Sequence, residues 1–200
     1  VLEEISFKGV TFTDDAFAKF FASTTICPKL PSLHFTTQFE MEELTEERVP
    51  SCPLRVLSLR GCQGLNVALQ SLSNVDNLTS LDVSTCQSVL SGQWMLGLLE
   101  SGLTALVDLD ISISFIPIQD LTAFFSDYRI SCSLKSLNIS RIECEDKTFV
   151  PMVRHLTNLN ELHMESLIQL TPKSIEALSK TLTKLEILNM KSCSKLTKQC

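Results

Sequence analysis

Leu106-Val107-Asp108-Leu109-Asp110-Ile111 is followed, 28 residues on, by Leu134-Lys135-Ser136-Leu137-Asn138-Ile139. Both read L-x-x-L-x-L with apolar substitutions, and the same hexad begins at Leu2, Leu30, Leu54, Leu78, Leu159 and Leu185. The steps between the eight starts are 28, 24, 24, 28, 28, 25 and 26 residues. With the opening Leu as position one, position four is Ile5, Leu33, Leu57, Leu81, Leu109, Leu137, Leu162 and Leu188, and position six is Phe7, Phe35, Leu59, Val83, Ile111, Ile139, Met164 and Met190. All twenty-four positions are apolar in a chain that is 44% hydrophobic. Chance would give that roughly 3 times in 10⁹ before freedom of register is allowed, so the repeat is real.

Positions four and six are two apart and therefore on one side of a short strand, while the residues between them point the other way. Between strands lie stretches with helical spacing. Asp14 to Ala22 sets Phe17, Phe20 and Phe21 on one side, and Ser174 to Leu182 does the same with Ile175, Leu178 and Leu182. The latter has start chemistry: Thr171 as N-cap and Pro172 in the first helical turn. One strand and one helix in about 26 residues cannot bury their own apolar faces, so the units must stack. The predicted fold class is α/β, a curved solenoid with a parallel sheet along one wall and helices along the other. It forms a single domain over residues 1–200 with units starting near 2, 30, 54, 78, 106, 134, 159 and 185. The chain starts Val1-Leu2-Glu3 inside the repeat, and Leu196-Thr197-Lys198-Gln199-Cys200 opens a further segment. The expectation is a piece of a longer polypeptide.

Position nine is Cys62, Cys86 and Cys193 in three units, with tails Cys62-Gln63-Gly64-Leu65-Asn66, Cys86-Gln87-Ser88-Val89-Leu90 and Cys193-Ser194-Lys195-Leu196-Thr197. Cys27, Cys52 and Cys132 stand two or three residues ahead of an opening Leu. This resembles the cysteine-containing leucine-rich repeat, C-x-x-[I/L]-T, known from F-box proteins, whose other frequent cysteine closes the preceding helix. The resemblance spans the chain, with Val10, Gln38, Ser114, Ile142 and Leu167 departing from it at position nine and Phe12-Thr13-Asp14 one residue early. It implies a right-handed horseshoe with the sheet on the concave face and the helices on the convex face.

Composition narrows the function. Lys and Arg number 17 against 23 acidic residues, for a formal net charge of −6, and they are scattered, so the basic footprint of a nucleic-acid binder is missing. The most apolar short stretch, Trp94-Met95-Leu96-Gly97-Leu98-Leu99, stops at Glu100, far short of the roughly 20 residues that cross a bilayer. No membrane partner is expected. Eight cysteines in 200 residues fall below a disulfide scaffold, and none form C-x-x-C knuckles, which favours an intracellular location with the cysteines reduced. Asn77-Leu78-Thr79 and Asn138-Ile139-Ser140 match a short glycosylation motif read here as coincidence.

Reactive constellations are few. Cys62 and Cys86 share a column in neighbouring units, about 5 Å apart, within disulfide range. The alternative is that each is a small buried thiol filling the turn and donating weakly to loop backbone. His34 and His163 share position five but stand five units, roughly 24 Å, apart, too far to bind one metal. His155 falls at a helix end, where a cation is ordinary. Neither a phosphate loop, a nucleophile elbow nor H-E-x-x-H occurs in the sequence, so neither an enzyme nor a cofactor is expected.

The strongest candidate surface is the open strand face of positions three, five and seven. Its middle carries Ser58, Arg60, Asp82, Ser84, Asp108, Asp110, Asn138, Glu161, His163 and Glu165. Asp82, Asp108 and Asp110 come from adjacent units, which favours a basic side chain or free amino group on a bound protein. Asp and Asn at position five also solvate such a sheet without binding anything. The run Glu40, Glu42, Glu43, Glu46, Glu47 before Pro50 reads as an exposed helix or loop face. The expected function is a non-catalytic protein-recognition module. The resemblance implies the substrate-binding part of a cullin-type ubiquitin-ligase receptor, with the adaptor bound by regions outside this chain. A ligand-sensing arc of an immune or signalling receptor, or a plain scaffold, remain alternatives.

Overall fold

The computed structural model describes residues 4–13, 31–40, 54–62, 75–86, 93–100 and 103–196. Eight strands run through it: β1 (Glu4–Thr13), β2 (Ser32–Glu40), β3 (Val56–Ser58), β4 (Ser80–Asp82), β5 (Asp108–Asp110), β6 (Ser136–Asn138), β7 (Glu161–His163) and β8 (Ile187–Asn189). They form one open sheet in sequence order, every neighbouring pair parallel. The described helices are α1 (Gln93–Glu100), α2 (Ile118–Ser126), α3 (Tyr128–Ser133), α4 (Asp146–Val153) and α5 (Pro172–Thr181). The helix expected at Asp14–Ala22 lies outside the described residues.

The register is the one the repeat dictates. Leu33, Leu57, Leu81, Leu109, Leu137, Leu162 and Leu188 stand opposite one another across successive strand pairs, flanked by the position-three and position-five rows. Along the interior strands the middle residue is buried and its two neighbours face outward. Position four from Leu33 to Leu162 and position six from Leu59 to Met164 join helix residues such as Met95, Phe124, Phe125, Phe149, Met152 and Leu178 in one apolar core. Each such fully buried side chain contributes about 1.5–3 kcal/mol. Ile5, Phe7, Leu185 and Met190 of the outer units are only partly covered, and Leu188 is 40% exposed.

Although most strands are only three residues long, the ladder extends beyond them. The position-two carbonyl of each interior unit accepts two amides of the next, as Arg55 O does from Thr79 and Ser80 at 2.8 and 2.9 Å. The amides at positions six and eight donate forward in turn, Leu59 to Asp82 O at 2.7 Å and Gly61 to Ser84 O at 2.8 Å. At position eight the chain turns off the sheet with positive φ in six units: Gly61, Thr85, Ile113, Arg141, Ser166 and Ser192.

Two elements depart from the expected short strand. β1 and β2 continue to Thr13 and Glu40, paired throughout apart from a register shift between Lys8 and Thr11. Thr11-Phe12-Thr13 and Phe35-Thr36-Thr37 are rich in β-branched and aromatic residues, which favour continued pleating over a turn. Glu40 therefore closes a strand; Glu42, Glu43, Glu46 and Glu47 lie outside the described residues.

Helix starts follow local chemistry. Thr171 caps α5, its hydroxyl accepting from the Lys173 amide, and Pro172 follows in the first turn, as expected. Asp127 caps α3, accepting from the Arg129 amide at 2.9 Å, while Arg129 reaches Leu99 O at the end of α1 at 3.3 Å. His155 is exposed just beyond α4. Among the described residues no helix is long and apolar enough to cross a membrane.

Candidate functional site

Position nine explains the cysteine pattern. Cys86 donates from its thiol to Leu59 O of the preceding unit at 3.4 Å and Cys193 to Met164 O at 3.0 Å. Ser114 makes the same bond from its hydroxyl to Val83 O at 2.7 Å. At Cys86, Ser114 and Cys193 the column thus holds a small buried donor that reaches back one unit, thiol or hydroxyl alike, whereas Ile142 and Leu167 fill the same place as buried apolar side chains. Cys62, Cys86, Cys144 and Cys193 are buried thiols outside any disulfide, and Cys132 is an exposed thiol near the end of α3. Burial pushes the Cys86 thiol up to about 12, with Cys62 beside it adding to the effect. Burial likewise pushes Cys144 up to about 12, helped by Asp146 and Glu145, and raises Cys193. Thiols held this far above neutrality are poor nucleophiles and poor metal ligands. Cys27, Cys52 and Cys200 lie outside the described residues.

Position five has an equally local task. Asp82 Oδ1 accepts from the Ser84 amide at 2.9 Å and hydroxyl at 2.6 Å; Asp110 Oδ1 accepts from the Ser112 amide at 2.8 Å. Asn138 and Asn189 do the same for Ser140 and Lys191 at 3.0 and 3.2 Å. A short polar side chain bonding the backbone two residues on is an Asx-turn, and it steers the chain from the strand toward position eight. The second carboxylate oxygens are also engaged, Asp82 Oδ2 by the Ser58 hydroxyl at 3.1 Å and Asp110 Oδ2 by the Asn138 amide at 3.0 Å. Asn138 is thereby committed at both ends of its amide. Ser84 departs from its expected place on the open face: it is 2% exposed, because its unit is already turning inward toward position nine.

Position three is different. Asp108 projects from β5 with its carboxyl raised above the ordinary range, first by desolvation and then by the charge of Glu161. Glu161, two strands away, holds His163 Nε2 at 2.7 Å. Together with Ser80, Asp82, Asp110, Ser136 and Asn138, Asp108 and His163 line an open hollow of about 250 Å³ on the strand face. Glu165 stands beyond it, its carboxylate pairing with Arg141 at 3.5 Å and its backbone amide donating to the Ser140 hydroxyl oxygen at 3.1 Å. Arg60 is exposed. Of the ten expected residues, the structure gathers Asp82, Asp108, Asp110, Asn138 and His163 around one hollow, with Ser58 and Glu161 bonded to its wall. Arg60 and Glu165 stay at the margin and Ser84 is covered.

His34 sits on β2, bonded to Ser32 at 3.0 Å and 3.6 Å from Glu4, five strands away from His163 on β7. Among the described residues no three His, Cys, Asp or Glu side chains converge as a metal group. Sequence reasoning did not single out a second feature: Ile113 and Phe115, 43% and 57% exposed, line a hollow of about 280 Å³ with Arg141 and Glu143. The signal was an apolar residue at position eight, Ile113, where the chain turns off the sheet with positive φ.

No protein-family model matches the sequence, and no curated protein matches it. Among solved structures, an internalin from Listeria monocytogenes is similar over 94% of this chain and 48% of its own, at 18% identity and a TM-score of 0.61. The chain therefore spans about half the length of that structure. The complex of Rad7 and Elc1 from yeast also aligns, over 99% of this chain and 65% of that one, at 16% identity and a TM-score of 0.40. The architecture is that of a leucine-rich-repeat solenoid, an open α/β array.

Proposed function

We propose that the eight units act as one protein-recognition domain without catalytic activity, whose concave strand face holds a partner through a basic side chain or a free amino group. The observation that carries this reading is Asp108. Its neighbours Asp82 and Asp110 spend their oxygens on turn amides and on Ser58 and Asn138 of the adjoining units, whereas Asp108 stands exposed at the hollow with its carboxyl raised by desolvation and by the charge of Glu161. Such a group gains when a cation arrives, because the cation offsets its repulsion with Glu161. The same domain would serve as the substrate-binding arc of a cullin-type ubiquitin-ligase receptor working inside the cell, with the ligase adaptor held by other parts of the protein. What supports that finer reading is the small donor at position nine, thiol in Cys62, Cys86 and Cys193, together with buried, unreactive thiols.

The test is affinity capture from cells with the full-length protein and with an Asp108→Asn, Glu161→Gln variant. Alanine at Asp82 or Asp110 would uncap the turns, so the position-three pair is the cleaner probe. We expect cullin-ligase subunits in both captures and loss of a distinct partner from the variant. Absence of the ligase subunits from the wild-type capture would remove the receptor reading. Retention of every partner by the variant would remove the acidic-face reading.

A further inference from the structure

A larger hollow, about 710 Å³, lies away from the strand face, between α4 and α5. Its floor is made of short apolar side chains, Val150 and Pro151 from α4 and Ala177 from α5, each half-buried. Lys147 and Arg154 stand seven residues apart at one wall, Lys173 and Lys180 seven apart along the other, and all four are exposed. Seven residues are two helical turns, so each pair sits on one side of its helix about 10 Å apart. The result is an apolar strip with a cation near each corner.

Two carboxylates also line this groove, Asp146 and Glu176. Asp146 is turned to the start of α5, accepting the Thr171 amide at 2.9 Å and the Ser174 hydroxyl at 2.6 Å, and is spent there. Glu176 holds Lys180 at 2.6 Å, and Glu145 holds Lys147 at 2.8 Å, both as exposed pairs. Exposed pairs contribute little and exchange readily for a better partner. The lining carries four cations against two carboxylates, on a chain whose formal net charge is −6.

We propose that the groove between α4 and α5 docks an acidic amphipathic helix of a partner protein. The apolar stripe of that helix lies on Val150, Pro151 and Ala177. Asp or Glu side chains flank the stripe on both sides at two-turn intervals and meet Lys147, Arg154, Lys173 and Lys180. α4 and α5 pack against each other, so the docked helix lies along the groove over the pair, and helix-in-groove recognition needs both the stripe and the flanking charges. This surface is separate from the strand face, so it would allow a second partner to bind at the same time.

The probe is a fluorescent peptide of about 14 residues, with leucines at helical spacing and glutamates flanking them. Anisotropy is read against the wild-type protein, an Arg154→Glu, Lys173→Glu variant, and a Lys191→Glu, Lys195→Glu variant that changes net charge equally outside the groove. We expect saturable binding, weakened at least about tenfold by the groove variant and unchanged by the control. A peptide with lysines in place of glutamates should not bind. Equal weakening by both variants would reduce the effect to general electrostatics and overturn the proposal, as would an absence of saturable binding. Sedimentation showing that the wild type self-associates through the groove, and the groove variant does not, would assign the site to a second copy and overturn it too.

Discussion

Gly61 alone among the six position-eight residues lacks a side chain, yet all six have φ between 56° and 71°. A side chain in that region costs about 1–2 kcal/mol, so the array carries the strain repeatedly and the ladder bonds on either side hold it. A methyl group at Gly61 would meet Thr85 Oγ1 at 3.4 Å, an ordinary contact, so the cost of Gly61→Ala is a backbone cost. We expect it to lower stability by about 1 kcal/mol, and Ser192→Gly, at an exposed site, to raise it by up to about the same. Urea midpoints with unchanged slopes would check both; a gain from Gly61→Ala would contradict the account. Position nine gives a second residue-scale prediction. Cys86→Ser keeps the donor that Ser114 already supplies in the next unit and should change little, whereas Cys86→Val keeps the volume, loses the bond to Leu59 O and should cost about 1 kcal/mol. Mass spectrometry after brief alkylation should find Cys132 modified in the native protein, and Cys86, Cys144 and Cys193 only in denaturant.

At the scale of elements, Asp146 joins two helices. It opens α4 and takes bonds from the Thr171 amide and hydroxyl and the Ser174 hydroxyl, at the start of α5. Burial raises its carboxyl, but the bonds from Ser174 and Thr171 and the charge of Lys173 outweigh burial and hold it below the ordinary range. A carboxylate lowered in the folded state adds stability above its unfolded pKa and loses it as pH falls through the folded one. Asp146→Asn should therefore cost about 1 kcal/mol at neutral pH, discounted for partial exposure, with the gap to wild type closing in acid. Thermal melts from neutral to acid pH decide it; a gap independent of pH would mean that packing, not charge, is what the substitution disturbs. The capping pair Thr171-Pro172 was legible in sequence because a cap needs only neighbours. The bond from the Thr171 amide to Asp146 was not, since it spans 25 residues and joins helices whose contact depends on how units stack.

For the molecule as a whole, stability should follow position along the stack, because each unit touches only its neighbours. Leu109 is 2% exposed between covered neighbours and Leu188 is 40% exposed. We expect Leu109→Ala to cost about 2–5 kcal/mol and Leu188→Ala under about 1 kcal/mol, read from chemical denaturation. Equal costs would argue against a stack of neighbours. The fold was readable at this scale because apolar columns record burial directly: Leu81, Leu109, Leu137 and Leu162 face the core as their spacing demanded. The face was readable only in outline. Asp82, Asp108 and Asp110 look alike as letters, but which oxygens are already committed depends on Ser84, Ser112, Asn138 and Ser58, whose orientations no spacing reveals. Between positions two and nine, amides at positions six and eight donate forward from the units starting at Leu54, Leu78, Leu106, Leu134 and Leu159, and a position-nine donor reaches back from Cys86, Ser114 and Cys193, so this span is pinned to its neighbours. The lengths that vary, from 24 to 28 residues, all fall after that span. Tolerance to splicing should divide along the same line: a foreign loop placed in the exposed Thr183-Lys184 turn leaves the protein folded, while one spare residue between Asp110 and Ser114 throws two seams out of step at once.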